Sequence, residues 1–260
     1  MNVLENIIST KIEEVKKKKK AIPIASLEAM EYFKRNTFSL SAALKYKNGI
    51  GIIAEIKRRS PSAGILRKEV DIKNMAVSYQ QNGAAAISVL TEEYYFNGSL
   101  NDLKDVRSVV DIPILRKDFI VDEYEIYEAK AFGADAVLLI ADLLSKEQLY
   151  QLFCASKSLG LECLVEIHST ESVDKLDFSL MKLIGINNRD LITFSCNLDT
   201  FQKIAKLLPE DTVLVSESGI KNVDDLIKLQ NDGAKGALIG EYFMTSENPG
   251  SALSEFISSI

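Results

Sequence analysis

The 260-residue sequence predicts an α/β fold, a single (β/α)8 barrel behind an N-terminal helical extension. Three observations predict it. Short apolar runs alternate with longer amphipathic stretches from Gly49 onward, eight times in all. Their spacing, roughly 20 to 35 residues, suits one helix between successive strands. The runs are apolar on nearly every residue, as strands buried on both faces of a parallel sheet must be. The eight strands are expected near Ile50–Ile56, Ala85–Leu90, Pro113–Lys117, Ala136–Ile140, Cys163–Ile167, Leu183–Asn187, Val213–Ser216 and Ala237–Ile239.

The extension comprises residues 1–48 and the barrel residues 49–260, read as one domain because no low-complexity linker divides them. Val3, Leu4, Ile7, Ile8, Ile12 and Val15 recur at helical spacing. Pro23 ends that pattern; Leu27, Met30 and Phe33 mark a second helix, and Phe38, Leu40, Ala43 and Leu44 a short third. Within the barrel, Gly83-Ala84-Ala85, Gly133-Ala134-Asp135 and Gly233-Ala234-Lys235 each stand between a helical pattern and a strand. Glycine fits the left-handed position that ends a helix, so one turn is reused. The alternative is an open doubly wound sheet, but no glycine-rich dinucleotide loop follows the first strand.

The 47% hydrophobic and 26% charged fractions are those of an ordinary soluble globular chain. A net charge of −6 gives no global attraction to nucleic acid or anionic membrane, so a phosphate ligand would need local groups. The one basic block, Lys16 to Lys20, reads as the solvated face of a helix. Cys154, Cys163 and Cys196 are odd in number and widely spaced, and His168 is the single histidine. A disulfide framework and a metal site are therefore not expected, and a reducing cytoplasm is. No signal region or membrane-spanning run is found.

Barrel enzymes carry their chemistry at the C-terminal ends of the strands. Side chains alternate with period two, so parity tells which strand ends point inward. The first strand delivers Glu55 and Lys57, the third Lys117, the fifth Glu166, the sixth Asn187 and the seventh Glu217. Two lysines, three carboxylates and an amide converging from five strands make an active site of proton transfer and charge stabilisation the expectation. Ser218 and Gly219 in SESGI, and Gly240 in LIGE, follow the seventh and eighth strands, where barrels hold phosphate on backbone N–H groups. Phe96 and Phe119, beyond the second and third strands, are candidates for an apolar slot that takes a planar ring. His168, two residues past Glu166, reads as an incidental neighbour of the site.

At these segments the sequence resembles the indole-3-glycerol-phosphate synthase family. The segments are AEIKRRSPS (54–62), LTEEYYFNGS (90–99), PILRKDFIVD (113–122), LVEIH (164–168), GINNRDL (185–191) and SESGI (216–220). The helical extension also fits that family. The resemblance implies ring closure, decarboxylation and dehydration of 1-(2-carboxyphenylamino)-1-deoxyribulose 5-phosphate to indole-3-glycerol phosphate, with no cofactor. It implies Lys117 as general acid, Glu166 as its acid–base counterpart and Lys57 as holder of the anthranilate carboxylate. Glu55, Asn187 and Glu217 would orient the lysines and substrate hydroxyls, and Ser218 joins the catalytic set. Ser60, Arg189, Gly219 and Gly240 would contact the substrate around its phosphate, and Phe96 and Phe119 its ring. Ala63 stands where the family often has lysine, Arg58-Arg59 is a variant basic pair, and Glu241 stands where some members have serine. The expected partner is a phosphorylated small molecule, with no nucleic acid or membrane. The chain is expected to act as a monomer or homodimer, in possible association with other enzymes of tryptophan synthesis. Competing readings are a Schiff-base phosphosugar aldolase using Lys117, a phosphoribosylanthranilate isomerase, and a binding barrel without catalysis. The isomerase would have cysteine at the end of the first strand, where this chain has Glu55 and Lys57.

Overall fold

The computed structural model describes residues 3–45, 47, 49–190 and 193–259. The side chains of Val3 and Leu4, and Leu191 at the end of GINNRDL, lie outside the described residues.

Eight strands form the closed barrel: β1 (Gly51–Ile56), β2 (Ala86–Leu90), β3 (Ile114–Lys117), β4 (Ala136–Ile140), β5 (Glu162–Ile167), β6 (Leu183–Asn187), β7 (Val213–Glu217) and β8 (Gly236–Ile239). Each pairs in parallel with its sequence neighbours, and β8 closes onto β1 with Ile53 opposite Leu238. Alternate residues face the two sides of this cylinder. Ile53, Leu115, Leu138, Leu164, Val215 and Leu238 fill the inside. Ile52, Ile87, Val137, Val165 and Ile184 pack outward against the helices.

The extension consists of α1 (Val3–Ala21), α2 (Ile24–Glu28) and α3 (Leu40–Lys45). The outer helices are α4 (Ile72–Gln81), α5 (Leu100–Arg107), α6 (Glu123–Ala131), α7 (Lys146–Ser158), α8 (Asp199–Ala205), α9 (Val223–Asn231), α10 (Glu241–Thr245) and α11 (Pro249–Ser258). Side-chain caps start most of them; Ser145 and Gln148 form a reciprocal capping box on α7, as Asn222 and Asp225 do on α9. The repeated glycine turn is real. Gly83, Gly133 and Gly233 have φ of 90°, 93° and 101°, and the following alanine N–H reaches back to Tyr79, Ala129 and Leu229 carbonyls at 2.9–3.0 Å. Gly160 ends α7 in the same way, a fourth copy that the Gly-Ala pattern hides because Leu161 follows it.

Three expectations are corrected. Between β5 and β6 there is no α-helix, only a 3-10 turn at Glu171–Lys175, in the shortest of the connections between successive strands. The second extension helix stops at Glu28, and Met30 and Phe33 continue in turns that still pack on α6. Phe38 precedes the third helix and lies beneath the Arg35 and Arg107 guanidinium groups, 5.4 and 5.1 Å from its ring centre.

The extension touches the barrel at both ends. Leu40 and Leu44 of α3 belong to the inside cluster and plug the N-terminal end. Gly51 and Gly236 leave room for Leu44: a Cβ on either would lie 2.8 or 3.1 Å from its methyl groups. At the other end, α1 buries Ile7, Lys11 and Val15, spaced at i, i+4 and i+8 on one face, while Ile12 is 42% exposed. The Lys11 ammonium lies 2.8 Å from Asp118, which follows the last residue of β3. Lys16 and Lys19 are exposed and pair with Glu13 and Asp122 at 2.7 Å, which is the solvated face the composition led us to expect.

Candidate active site

The inward residues at the strand ends surround a cavity of about 610 Å³ at the C-terminal mouth. That volume suits a substrate of drug-like size. All thirteen residues singled out in the sequence line it: Glu55, Lys57, Ser60, Phe96, Lys117, Phe119, Glu166, Asn187, Arg189, Glu217, Ser218, Gly219 and Gly240.

Lys117 is the centre. Its Nζ lies 3.0 Å from Glu166 Oε2 and 2.8 Å from Glu217 Oε2. Burial alone would disfavour the ammonium, but Glu166, Glu217 and Glu55 more than offset it and raise its proton affinity above the ordinary lysine range. The two carboxylates then diverge. Burial raises both, but Lys117 and His168 hold Glu166 well below the usual carboxylate range. Glu217 is pushed up to about 8 by burial and by its neighbour Glu166, against the pull of Lys117. The surroundings thus push the proton affinities of two like groups apart, Glu166 down and Glu217 up, while Lys117 is held as an ammonium.

Lys57 pairs with Glu55 at 2.6 Å. Asn187 donates to Glu166 Oε1 at 3.2 Å and accepts from the Arg189 backbone N–H at 3.0 Å. Two glycines make this crowding possible. A Cβ on Gly185 would collide with the Glu217 carboxylate, and one on Gly240 with that of Glu55.

The side where the sequence reading expects phosphate is built from backbone. Ser218 and Gly219 both have left-handed φ, 65° and 81°, turning the chain sharply at the end of β7. Buried Asn188 fixes that turn by donating to the Glu217 and Ser218 carbonyls at 3.0 and 3.2 Å. Left-handed serine is strained, which is tolerated where such buttressing over-determines the backbone. The Arg189 guanidinium lies beside it, bonded to the Phe194 carbonyl at 3.0 Å and 3.4 Å from the Glu241 carboxylate.

On the opposite side Phe96 and Phe119 stand with ring centres 6.0 Å apart, tilted by 40°. Glu92 positions Phe96 by accepting the backbone N–H groups of Tyr94, Tyr95 and Phe96. Ser60 sits in a short hairpin, Arg59–Ser60 against Gly64–Ile65, that hangs over the cavity.

Other cavity residues escaped the sequence reading. Ile7 reaches the cavity from α1, and Phe194 and Cys196 from the loop after β6. Asp118 lines it beside Lys117 and ties it to Lys11. A signal for that tie was present: Lys11 stands on the same helical face as Ile7 and Val15, and a lysine there needs a buried partner. Among the described residues, no group of His, Cys, Asp and Glu is arranged to hold a metal ion, and no helix is long and apolar enough to cross a membrane.

A model of the family described as indole-3-glycerol phosphate synthase matches residues 4–256. Among curated relatives, the indole-3-glycerol phosphate synthase of Carboxydothermus hydrogenoformans is 48% identical, over 96% of this chain and 97% of that protein. Those of Salinibacter ruber and Bacteroides thetaiotaomicron are 43% and 44% identical, over 98% and 100% of this chain and 94% and 99% of theirs. Among solved structures, thiamine phosphate pyrophosphorylase from Pyrococcus furiosus superposes with a TM-score of 0.60 at 17% identity, over 85% of this chain and 97% of that one. A tryptophan synthase α-subunit variant from the same organism superposes at 0.58 and 11% identity, over 80% of this chain and 96% of that one. These two likenesses concern the barrel alone.

Proposed function

The chain belongs to the indole-3-glycerol phosphate synthase family, and from that premise we propose how its cavity divides the work of the reaction. The activity is that of a carboxy-lyase of tryptophan biosynthesis, converting 1-(2-carboxyphenylamino)-1-deoxyribulose 5-phosphate to indole-3-glycerol phosphate, CO₂ and water.

The single observation that carries the division is the Lys117 ammonium held 3.0 and 2.8 Å from the Glu166 and Glu217 carboxyl groups at the floor of the cavity. In ring closure, the ring carbon bearing the carboxylate bonds to the substrate's carbonyl carbon. The carbonyl oxygen becomes basic as the bond forms, and Lys117 gives it a proton. Loss of CO₂ returns the bonding pair to the ring and restores its aromaticity. The hydroxyl then leaves as water with a proton from Lys57, while Glu166 takes the proton from the adjacent methylene group. Glu55 orients Lys57, 2.6 Å away, and Asn187 orients Glu166. Glu217 and Ser218 shape the floor around Lys117 and the substrate hydroxyls. Phe96 and Phe119 take the aromatic ring, and Ser60, Arg189, Gly219 and Gly240 the phosphate end. A lysine kept cationic in this way is a proton donor and a poor Schiff-base nucleophile, which weighs against the aldolase reading. Three free cysteines support a reducing cytoplasm as the place of action.

Incubation with the substrate tests the reading. The chain has no tryptophan, so product indole emission rises from a low background. Emission that grows with time and enzyme supports the reading, and a protein that binds substrate without turning it over sinks it.

Glu241 gives a second test. Its carboxylate sits 3.4 Å from the Arg189 guanidinium, in competition with an incoming phosphate. The pair is partly solvated, so the competition is worth up to about 1 kcal/mol. Glu241→Ser is expected to lower KM severalfold at unchanged kcat. A rise in KM in steady-state assays would show instead that Glu241 assists binding.

A further inference from the structure

His168 is the chain's single histidine, and the division of roles above makes no use of it. It follows β5 directly, and its side chain is only 8% exposed. Both ring nitrogens face carboxylates. Nδ1 lies 3.3 Å from Asp142 Oδ2, and the His168 backbone N–H donates to the same oxygen at 3.2 Å. The other Asp142 oxygen accepts from Ser172 Oγ at 2.6 Å, so Asp142 anchors ring and loop together. Nε2 is buried and lies 3.1 Å from Glu166 Oε1, an ion-pair distance off the line of a hydrogen bond. Glu166 thus meets Lys117 at Oε2, and Asn187 and His168 at Oε1.

We propose that His168 is a positioning residue for the reaction: clamped by Asp142, it holds the Glu166 carboxylate at the oxygen not bound by Lys117 and supplies that carboxylate with a second cation. The inference rests on the assignment of Glu166 as the acid–base group. Its logic lies in the proton count. When Lys117 has given its proton to the substrate oxygen it is a neutral amine. Glu166 would then be a buried anion with no counter-charge, and such an anion recaptures a proton or moves. The imidazolium stays in place and neither gives nor takes a proton during the cycle. Burial opposes the imidazolium, but Asp142 and Glu166 outweigh it and raise its pKa to about 9. The remaining charged groups nearby do not displace it. Lys175 is bonded to the Ala141 and Leu144 carbonyls, Glu171 is exposed, and Glu217 faces Lys117.

The sign of the pH effect follows. Removing a cation beside Glu166 makes its carboxylate easier to protonate, so the acid limb of the kcat profile moves to higher pH. His168→Gln is expected to move that limb up by about one unit and to lower the plateau about tenfold, with KM within about twofold. The gap between variant and wild type should narrow above about pH 9, where the wild type has also lost its imidazolium. Asp142→Asn is expected to shift the same limb by a smaller amount. The position of a limb does not depend on how much enzyme is folded, so a purely structural role leaves it unmoved. An unmoved limb in active His168→Gln, or a loss confined to KM, overturns this inference. Failure of the wild type to turn over the substrate overturns instead the reading on which it rests.

Discussion

Replacing Lys117 with alanine is expected to lower kcat by about a thousandfold or more while KM changes little. A positioned general acid alone contributes about 10²–10⁴ in rate. Here one substitution does two kinds of damage. It removes the proposed proton donor to the carbonyl oxygen, and it removes the cation shared by Glu166 and Glu217 at 3.0 and 2.8 Å. Without it the two carboxyl groups face each other in a buried site, and Glu166 keeps His168 alone as a cation, so its carboxylate is easier to protonate. The acid is lost and the base is weakened together, so the effects of Lys117→Ala and Glu166→Gln should be far from additive. Initial rates of indole emission at saturating substrate measure the loss, and binding of a substrate analogue shows whether the cavity remains. Retention of kcat within tenfold would remove Lys117 from the centre of the mechanism.

Arg116→Met is expected to be the most damaging single change to stability. Lys117 points into the barrel, so its neighbour Arg116 points out into the layer between β3 and α6, where it is fully buried. Its guanidinium donates to the Glu125 carbonyl at 2.6 Å, to Thr91 at 3.1 Å, and to Asp118 and Glu128 at 3.3 Å. Removing one partner from a buried charge network leaves the others uncompensated, at a cost of about 3–5 kcal/mol. For a chain of this size that corresponds to a fall in Tm of roughly 10 °C. Lys182→Met breaks only the exposed pair with Asp211 and should shift Tm by about 2 °C or less. Thermal unfolding followed by circular dichroism separates the two, and equal shifts would refute the network as a source of stability.

The strands were legible because two buried faces leave a continuous apolar run in the sequence. Where their ends moved by a residue, the shift is of the size by which element ends ordinarily differ. β1 begins at Gly51 and β8 at Gly236, and both glycines leave the space that Leu44 of α3 fills. Periodicity gave α1 its existence but not its buried face: Ile12 looks out and Lys11 looks in. Parity brought the charged strand ends into one list, and the cavity holds all of them. What parity cannot supply is distance, and distance decides the chemistry. Glu166 and Glu217 are equivalent on paper; only their unequal access to Lys117, His168 and each other separates their proton affinities. His168 looked incidental for the same reason, since Asp142 approaches it from a different strand end.

The tie between Lys11 and Asp118 sets an order of events in time. Synthesis delivers α1 before the barrel, and Asp118 follows Lys11 after more than 100 further residues have been added. At about 5–20 residues per second that is a wait of about 5–20 s. During it the Lys11 ammonium has no buried carboxylate to meet, and a helix of this length standing alone is only marginally stable. Lysine at the middle of the face that carries Ile7 and Val15 keeps the waiting segment hydrated and discourages premature association. The same lysine then loses its water only when the end of β3 arrives with a carboxylate to receive it, so a segment made before the barrel is tied down only after the third strand is complete.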